Sequence, residues 1–104
     1  MLRIYSFVVD TLKVLGPVLR EIGRQDPDLA RQLRRATSSI ALNLAEGQGN
    51  EGGHRRQRYL TALGSTREVV TCLDVAEALL YVDAVDRDLP DRFDRGATLY
   101  RLAT

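Results

Sequence analysis

Few side chains in this sequence have both the type and the setting for chemistry. Cys72 is the one cysteine and His54 the one histidine, so no Cys/His metal cluster can be assembled within one chain. Di-iron bundle chemistry needs Glu-x-x-His pairs, and His54 belongs to none. Glu46 could act as a general base, yet no nucleophile, electrophile or metal ligand accompanies it. Cys72 has no base to make it a thiolate and falls on a stripe of small side chains, the setting of a packed thiol. The run Gly47-Gln48-Gly49-Asn50-Glu51-Gly52-Gly53 is as glycine-rich as a phosphate-cradling turn, but no strand precedes it and no Gly-Lys-Ser/Thr follows. The sequence therefore predicts no enzyme, cofactor, bound metal or small-molecule substrate.

Charge is the next resource. Fifteen basic and 14 acidic residues leave a formal net charge of +1, but the two signs are segregated. Residues 31–67 hold seven arginines against Glu46 and Glu51, a net of +5, and residues 68–94 hold eight acids against Arg87 and Arg92, a net of −6. Acids and bases that pair across adjacent helices are the favoured explanation, with a separate basic surface as the alternative. Arg31, Arg34 and Arg35 occupy the first half of one helical segment, whereas Arg55, Arg56 and Arg58 open the next. In an antiparallel pair the groups lie about 30 Å apart at 1.5 Å per residue, so one subunit has no single patch. Arg55, Arg56 and Arg58 beside the glycine loop could nevertheless hold a phosphate backbone without reading bases. Arginines at a helix amino terminus oppose its dipole, which points to an external anion; a solvated helix end is the other reading. Helix-turn-helix DNA binding is disfavoured, because a seven-residue glycine loop is not the tight turn that motif uses.

The elements that must place these residues follow from length and periodicity. A chain of 104 residues makes one domain, 1–104. At this size only about 60–70% of the unfolded surface is buried, so a partner subunit, a staple or efficient helix packing is required. A lone cysteine excludes a disulfide staple and suits a reducing cytoplasm. The longest charge-free stretch, 36–45, is half of the roughly 20 residues a spanning helix needs, and Asp10 and Lys13 interrupt the apolar amino terminus. A cytoplasmic protein without membrane span or signal peptide is expected.

Proline and glycine divide the chain into segments of roughly 3–24, 27–46, 54–81 and 89–103, each with helical periodicity. The first carries two adjoining heptad-spaced flanks, Tyr5, Val8, Leu12, Leu15, Leu19, Ile22 and Ile4, Phe7, Thr11, Val14, Val18. That is more apolar surface than a lone bundle helix buries, so self-assembly is expected. Pro17 lies on the polar stripe and kinks the helix towards solvent rather than ending it. The second segment starts from an Asp26 cap with Pro27 in the first helical position, runs inward through Leu29, Leu33, Ala36, Ile40 and Leu44, and should stop at Gly47. The third carries Leu63, Thr66, Val70, Leu73, Leu80 beside Ala62, Ser65, Val69, Cys72, Ala76, Leu79; the last repeats Leu89, Phe93, Gly96, Tyr100, Ala103. Four helices with short connections predict an all-α, antiparallel up-and-down four-helix bundle.

One stretch is more specific than periodicity. Gln32-Leu33-Arg34-Arg35-Ala36-Thr37-Ser38-Ser39-Ile40-Ala41-Leu42-Asn43-Leu44-Ala45-Glu46-Gly47 is followed by Ala62-Leu63-Gly64-Ser65-Thr66-Arg67-Glu68. The pattern of Gln, two residues, Arg-x-Ala-x-Ser, a branched apolar residue and Asn-x-Ala-Glu-Gly, with Ala-x-Gly-Ser-x-x-Glu on the next helix, resembles a bacterial four-helix-bundle family. That family includes the 23S ribosomal RNA intervening-sequence proteins and the accessory variability determinants of diversity-generating retroelements. The resemblance covers the middle half of the chain and implies a bundle that assembles as a ring-like homopentamer. It implies nucleic-acid binding and a reverse-transcriptase partner for the retroelement branch, from which this sequence departs in lacking a lysine-rich surface.

The same residues can be read physically. With the loop centred near residue 50, antiparallel packing places Arg35 near Ser65 and within a turn of Glu68, predicting an Arg35–Glu68 ion pair. Ser39, Asn43 and Glu46 share one helix face and form a polar ladder that sets the register, with the Tyr59 hydroxyl near Asn43. The combined expectation is a non-enzymatic, self-assembling accessory that binds RNA or a nucleoprotein through Arg31, Arg34, Arg55, Arg56 and Arg58. The alternative is an oligomeric protein-interaction scaffold that touches no nucleic acid.

Overall fold

The computed structural model describes residues 2–48, 53–83 and 92. Among these are three helices and no strand: α1 (Leu2–Gln25), α2 (Pro27–Gln48) and α3 (Gly53–Ala78). The fourth helix expected at 89–103 and the centre of the glycine loop lie outside the described residues. No helix is long and apolar enough to cross a membrane among the described residues.

α1 runs unbroken through Gly16 and Pro17, and Pro17 is exposed, so the hydrogen bond its missing N–H forfeits is on the solvent side. The buried seam draws on both predicted flanks: Val8, Thr11, Leu15, Val18 and Ile22. Val14, one turn along the second flank, stays 43% exposed.

Asp26 makes the α1–α2 corner. Its N–H donates to the Ile22 carbonyl at 2.7 Å, closing α1, and its Oδ1 accepts from the Leu29 N–H at 3.0 Å, capping α2. Pro27 then occupies the first helical position, where no donor is needed. α2 buries Ala30, Leu33, Ala36, Ile40 and Leu44 and runs one residue past Gly47. The predicted inward residue Leu29 is only half-buried.

α3 buries Tyr59, Ala62, Thr66, Val69, Leu73 and Ala76, again a seam that combines the two predicted stripes. It ends at Ala78, three residues before the expected stop. The Leu80 N–H donates to the Glu77 carbonyl at 3.0 Å and the Tyr81 N–H to the Ala76 carbonyl at 2.8 Å, a Schellman end with Leu80 at φ 63°. Glycine usually fills that left-handed position, so a leucine there carries no stop signal. Leu79 and Leu80, assigned to inward stripes, are instead 53% and 84% exposed.

α2 packs against both neighbours. Gly23 of α1 approaches Ala30 of α2 closely, a Cβ at Gly23 lying 3.6 Å from that of Ala30. The core is threaded with threonines whose hydroxyls stay within their own helix: Thr11 donates to the Phe7 carbonyl, Thr37 to Arg34 and Thr66 to Ala62, at 2.8–2.9 Å. A buried hydroxyl satisfied in this way brings no desolvation penalty into a core of small side chains.

Candidate functional site

The motif residues lie along the outer seam between α2 and α3. Ser65 donates from Oγ to Ser39 Oγ at 2.8 Å, the one side-chain hydrogen bond in the middle of that seam among the described residues. Asn43 stands one turn further along α2 and donates from Nδ2 to both the Ser39 carbonyl (2.8 Å) and Ser39 Oγ (3.0 Å). Its Oδ1 accepts from Arg58 Nη1 of α3 at 3.4 Å. The result is a chain of polar contacts, Arg58 to Asn43 to Ser39 to Ser65, that crosses the seam twice and holds the two helices in one register.

The register differs from the one expected. The Ser39–Ser65 pair centres the hairpin on position 52 rather than 50, so Ser65 meets Ser39 and not Arg35. The shift brings Glu68 to nearly the height of Arg35, yet both side chains are exposed and form no ion pair among the described residues, as solvated charges gain little from a fixed partner. Tyr59 changes partner with the shift. Its ring packs on Gly47, where an added Cβ would lie 2.8 Å from Tyr59 Cδ1 and overlap the ring, and its buried hydroxyl has no hydrogen-bond partner among the described residues. Gly47 thus serves as the floor for an aromatic ring rather than as a helix stop. Gln32 and Glu46, the ends of the motif on α2, are exposed.

The arginines divide by what they touch. Arg55 donates from Nε to the Gly47 carbonyl at 3.3 Å. It opens α3 but lies against the end of α2, where unpaired carbonyls and the negative end of that helix's dipole are found. An internal partner therefore answers the dipole conflict that pointed to an external anion. Arg58 is committed to Asn43, and Arg31 bonds Asp28 of its own helix at 3.0 Å. Arg34 and Arg56 are exposed, and their side chains enter no ion pair or hydrogen bond among the described residues.

Several charges of the two segregated segments are not paired across helices among the described residues. The ion pairs Lys13–Asp10, Arg24–Glu21 and Arg31–Asp28 each join residues three apart on one helix, and Arg34, Arg35, Arg67, Glu68 and Asp74 join none among the described residues. Exposed charges gain little from a fixed partner and lose side-chain freedom by taking one. Cys72 is buried beside Glu68; burial first, and the carboxylate second, push its thiol pKa upward, so it remains protonated.

The family model of the 23S rRNA-intervening sequence protein matches residues 7–92, which takes in all of this seam. The chain belongs to that family. No curated protein and no solved structure matches it. The family is not a known enzyme family.

Proposed function

We propose that this protein is a non-enzymatic subunit of a homo-oligomer, five copies closing a ring of four-helix bundles, and that the ring is a cytoplasmic accessory to RNA or to a nucleoprotein such as a reverse transcriptase. The observation that carries the nucleic-acid half is the pair Arg34 and Arg56, exposed and uncommitted among the described residues. Each retains all five N–H donors for phosphate oxygens. Arg55 and Arg58 each bond to α2, which holds their guanidinium groups at the loop end. Such contacts position a backbone and read no sequence.

The test is the salt dependence of RNA binding. Replacing Arg34 and Arg56 by alanine should weaken binding and reduce the slope of log K against log salt by about 1 for each phosphate contact removed. An unchanged slope removes both residues from the account.

A second reading has its own observation. Val75 of α3 and Leu79, just past its end, are 38% and 53% exposed, an apolar edge that a protein partner could cover. Partner capture that persists in high salt, with no nucleic acid bound, would favour a scaffold.

A further inference from the structure

We propose that α1 of one copy packs antiparallel on the outward face of α2 of the next, a contact that rests on the assembly proposed above and names the surfaces that close it. α1 carries Phe7, Asp10, Val14, Pro17 and Glu21 at spacings of 3, 4, 3 and 4, away from its buried seam. Asp10, Val14 and Pro17 are exposed and Phe7 and Glu21 half-buried, so the stripe is apolar and acidic and holds no base. α2 carries Arg31, Arg35, Ser38, Leu42 and Ala45 at spacings of 4, 3, 4 and 3, all exposed, with Leu42 at 65%. This second stripe is basic and apolar and holds no acid. Heptad spacing is the pattern that keeps one helix face against a partner helix along its length.

Height along the bundle matches the two stripes. Gly23 against Ala30 sets a common level for α1 and α2, which run in opposite directions at equal rise. Counting away from that level brings Glu21 to the height of Arg31 and Gln32, Val14 to that of Ser38 and Ser39, and Phe7 to that of Ala45 and Glu46. Rotation about an axis parallel to the helices preserves height and leaves α1 of one copy antiparallel to α2 of its neighbour. Glu21 then meets Arg31 and comes within a turn of Arg35, Val14 meets the small Ser38, and the large Phe7 ring meets the small Ala45. Arg35 has no ion pair among the described residues, the Arg31–Asp28 pair is a surface contact of adjacent turns that yields readily to a better partner, and Glu21 is tied only to the exposed Arg24 of its own helix among those residues. The two stripes are different surfaces, so the contact is head-to-tail, the kind that closes rings.

Cross-linking tests the contact. Val14→Cys and Ser38→Cys are each exposed substitutions, and the buried Cys72 remains in the wild-type control. After mild oxidation, an equimolar mixture of the two variants should give a covalent dimer that neither variant gives alone. Native mass measured on the same wild-type protein separates the two ways of failing. An oligomer whose mixed variants do not cross-link, or whose Val14→Cys variant links to itself, overturns this contact and leaves the assembly standing. A monomer overturns the assembly and this contact with it.

Discussion

The Tyr81 hydroxyl donates to Asp26 Oδ2 at 3.1 Å, joining the turn after α3 to the corner between α1 and α2. The same corner receives a second bond, from Gln25 Nε2 to the Tyr81 carbonyl at 2.9 Å. Asp26 thereby serves three elements: it ends α1, caps α2 through Oδ1 and anchors the end of α3 through Oδ2. Asp26→Ala should cost about 1 kcal/mol for the cap alone, with a further loss from the latch. Tyr81→Phe should lower the urea midpoint by removing the latch only. A double-mutant cycle measured by urea unfolding should show the two substitutions to be non-additive.

That latch also predicts an alkaline transition. The hydrogen bond to Asp26, then burial and the carboxylate's charge, raise the Tyr81 pKa above its ordinary 10.0. The folded state therefore holds the phenolic proton more tightly than the unfolded chain does. The latch's contribution is fully present below pH 10 and declines as pH rises through the folded-state value. Stability measured from pH 8 to 11 should fall less in Tyr81→Phe than in the wild type, and parallel curves would show the latch to be inert.

Gly47 and Tyr59 predict opposite signs for two conservative changes. Gly47→Ala drives a methyl into the buried ring and should destabilise by about 1–3 kcal/mol. Tyr59→Phe removes a buried hydroxyl that has no partner among the described residues and should be neutral or stabilising, by up to about 1 kcal/mol. Thermal unfolding of both variants checks the pair, and a Tyr59→Phe loss as large as that of Gly47→Ala would mean the hydroxyl is bonded.

Leu80 holds a left-handed backbone that costs a non-glycine residue about 1–2 kcal/mol. Its side chain is 84% exposed and returns little of that by packing. Leu80→Gly should raise stability by about 1 kcal/mol, after the loss of unfolded-state restriction is deducted. A lower melting temperature would show that the packing of the leucine outweighs its backbone strain.

What the sequence made legible depended on how local the signal was. Asp26-Pro27 announced the start of α2 because cap and first-turn chemistry reside in adjacent residues, and the structure bears that out. Heptad spacing identified α1 and α3 as helices but named two stripes on each, and only packing chose the seam between them. The end of α3 was missed because Leu80 occupies a position that glycine ordinarily marks. The polar ladder was anticipated in its members Ser39 and Asn43 but not in its pairing, since moving the hairpin centre from 50 to 52 exchanges Arg35 for Ser39 opposite Ser65. Tyr81 could not be foreseen as the second partner of Asp26, because 55 residues separate them.

The measurement that bears most directly on the central claim is a native mass spectrum of protein purified gently and without nuclease. The account predicts a species near five times 11.6 kDa that carries heterogeneous extra mass, and nuclease should remove that mass. A spectrum showing only the 11.6 kDa monomer at micromolar concentration would contradict it.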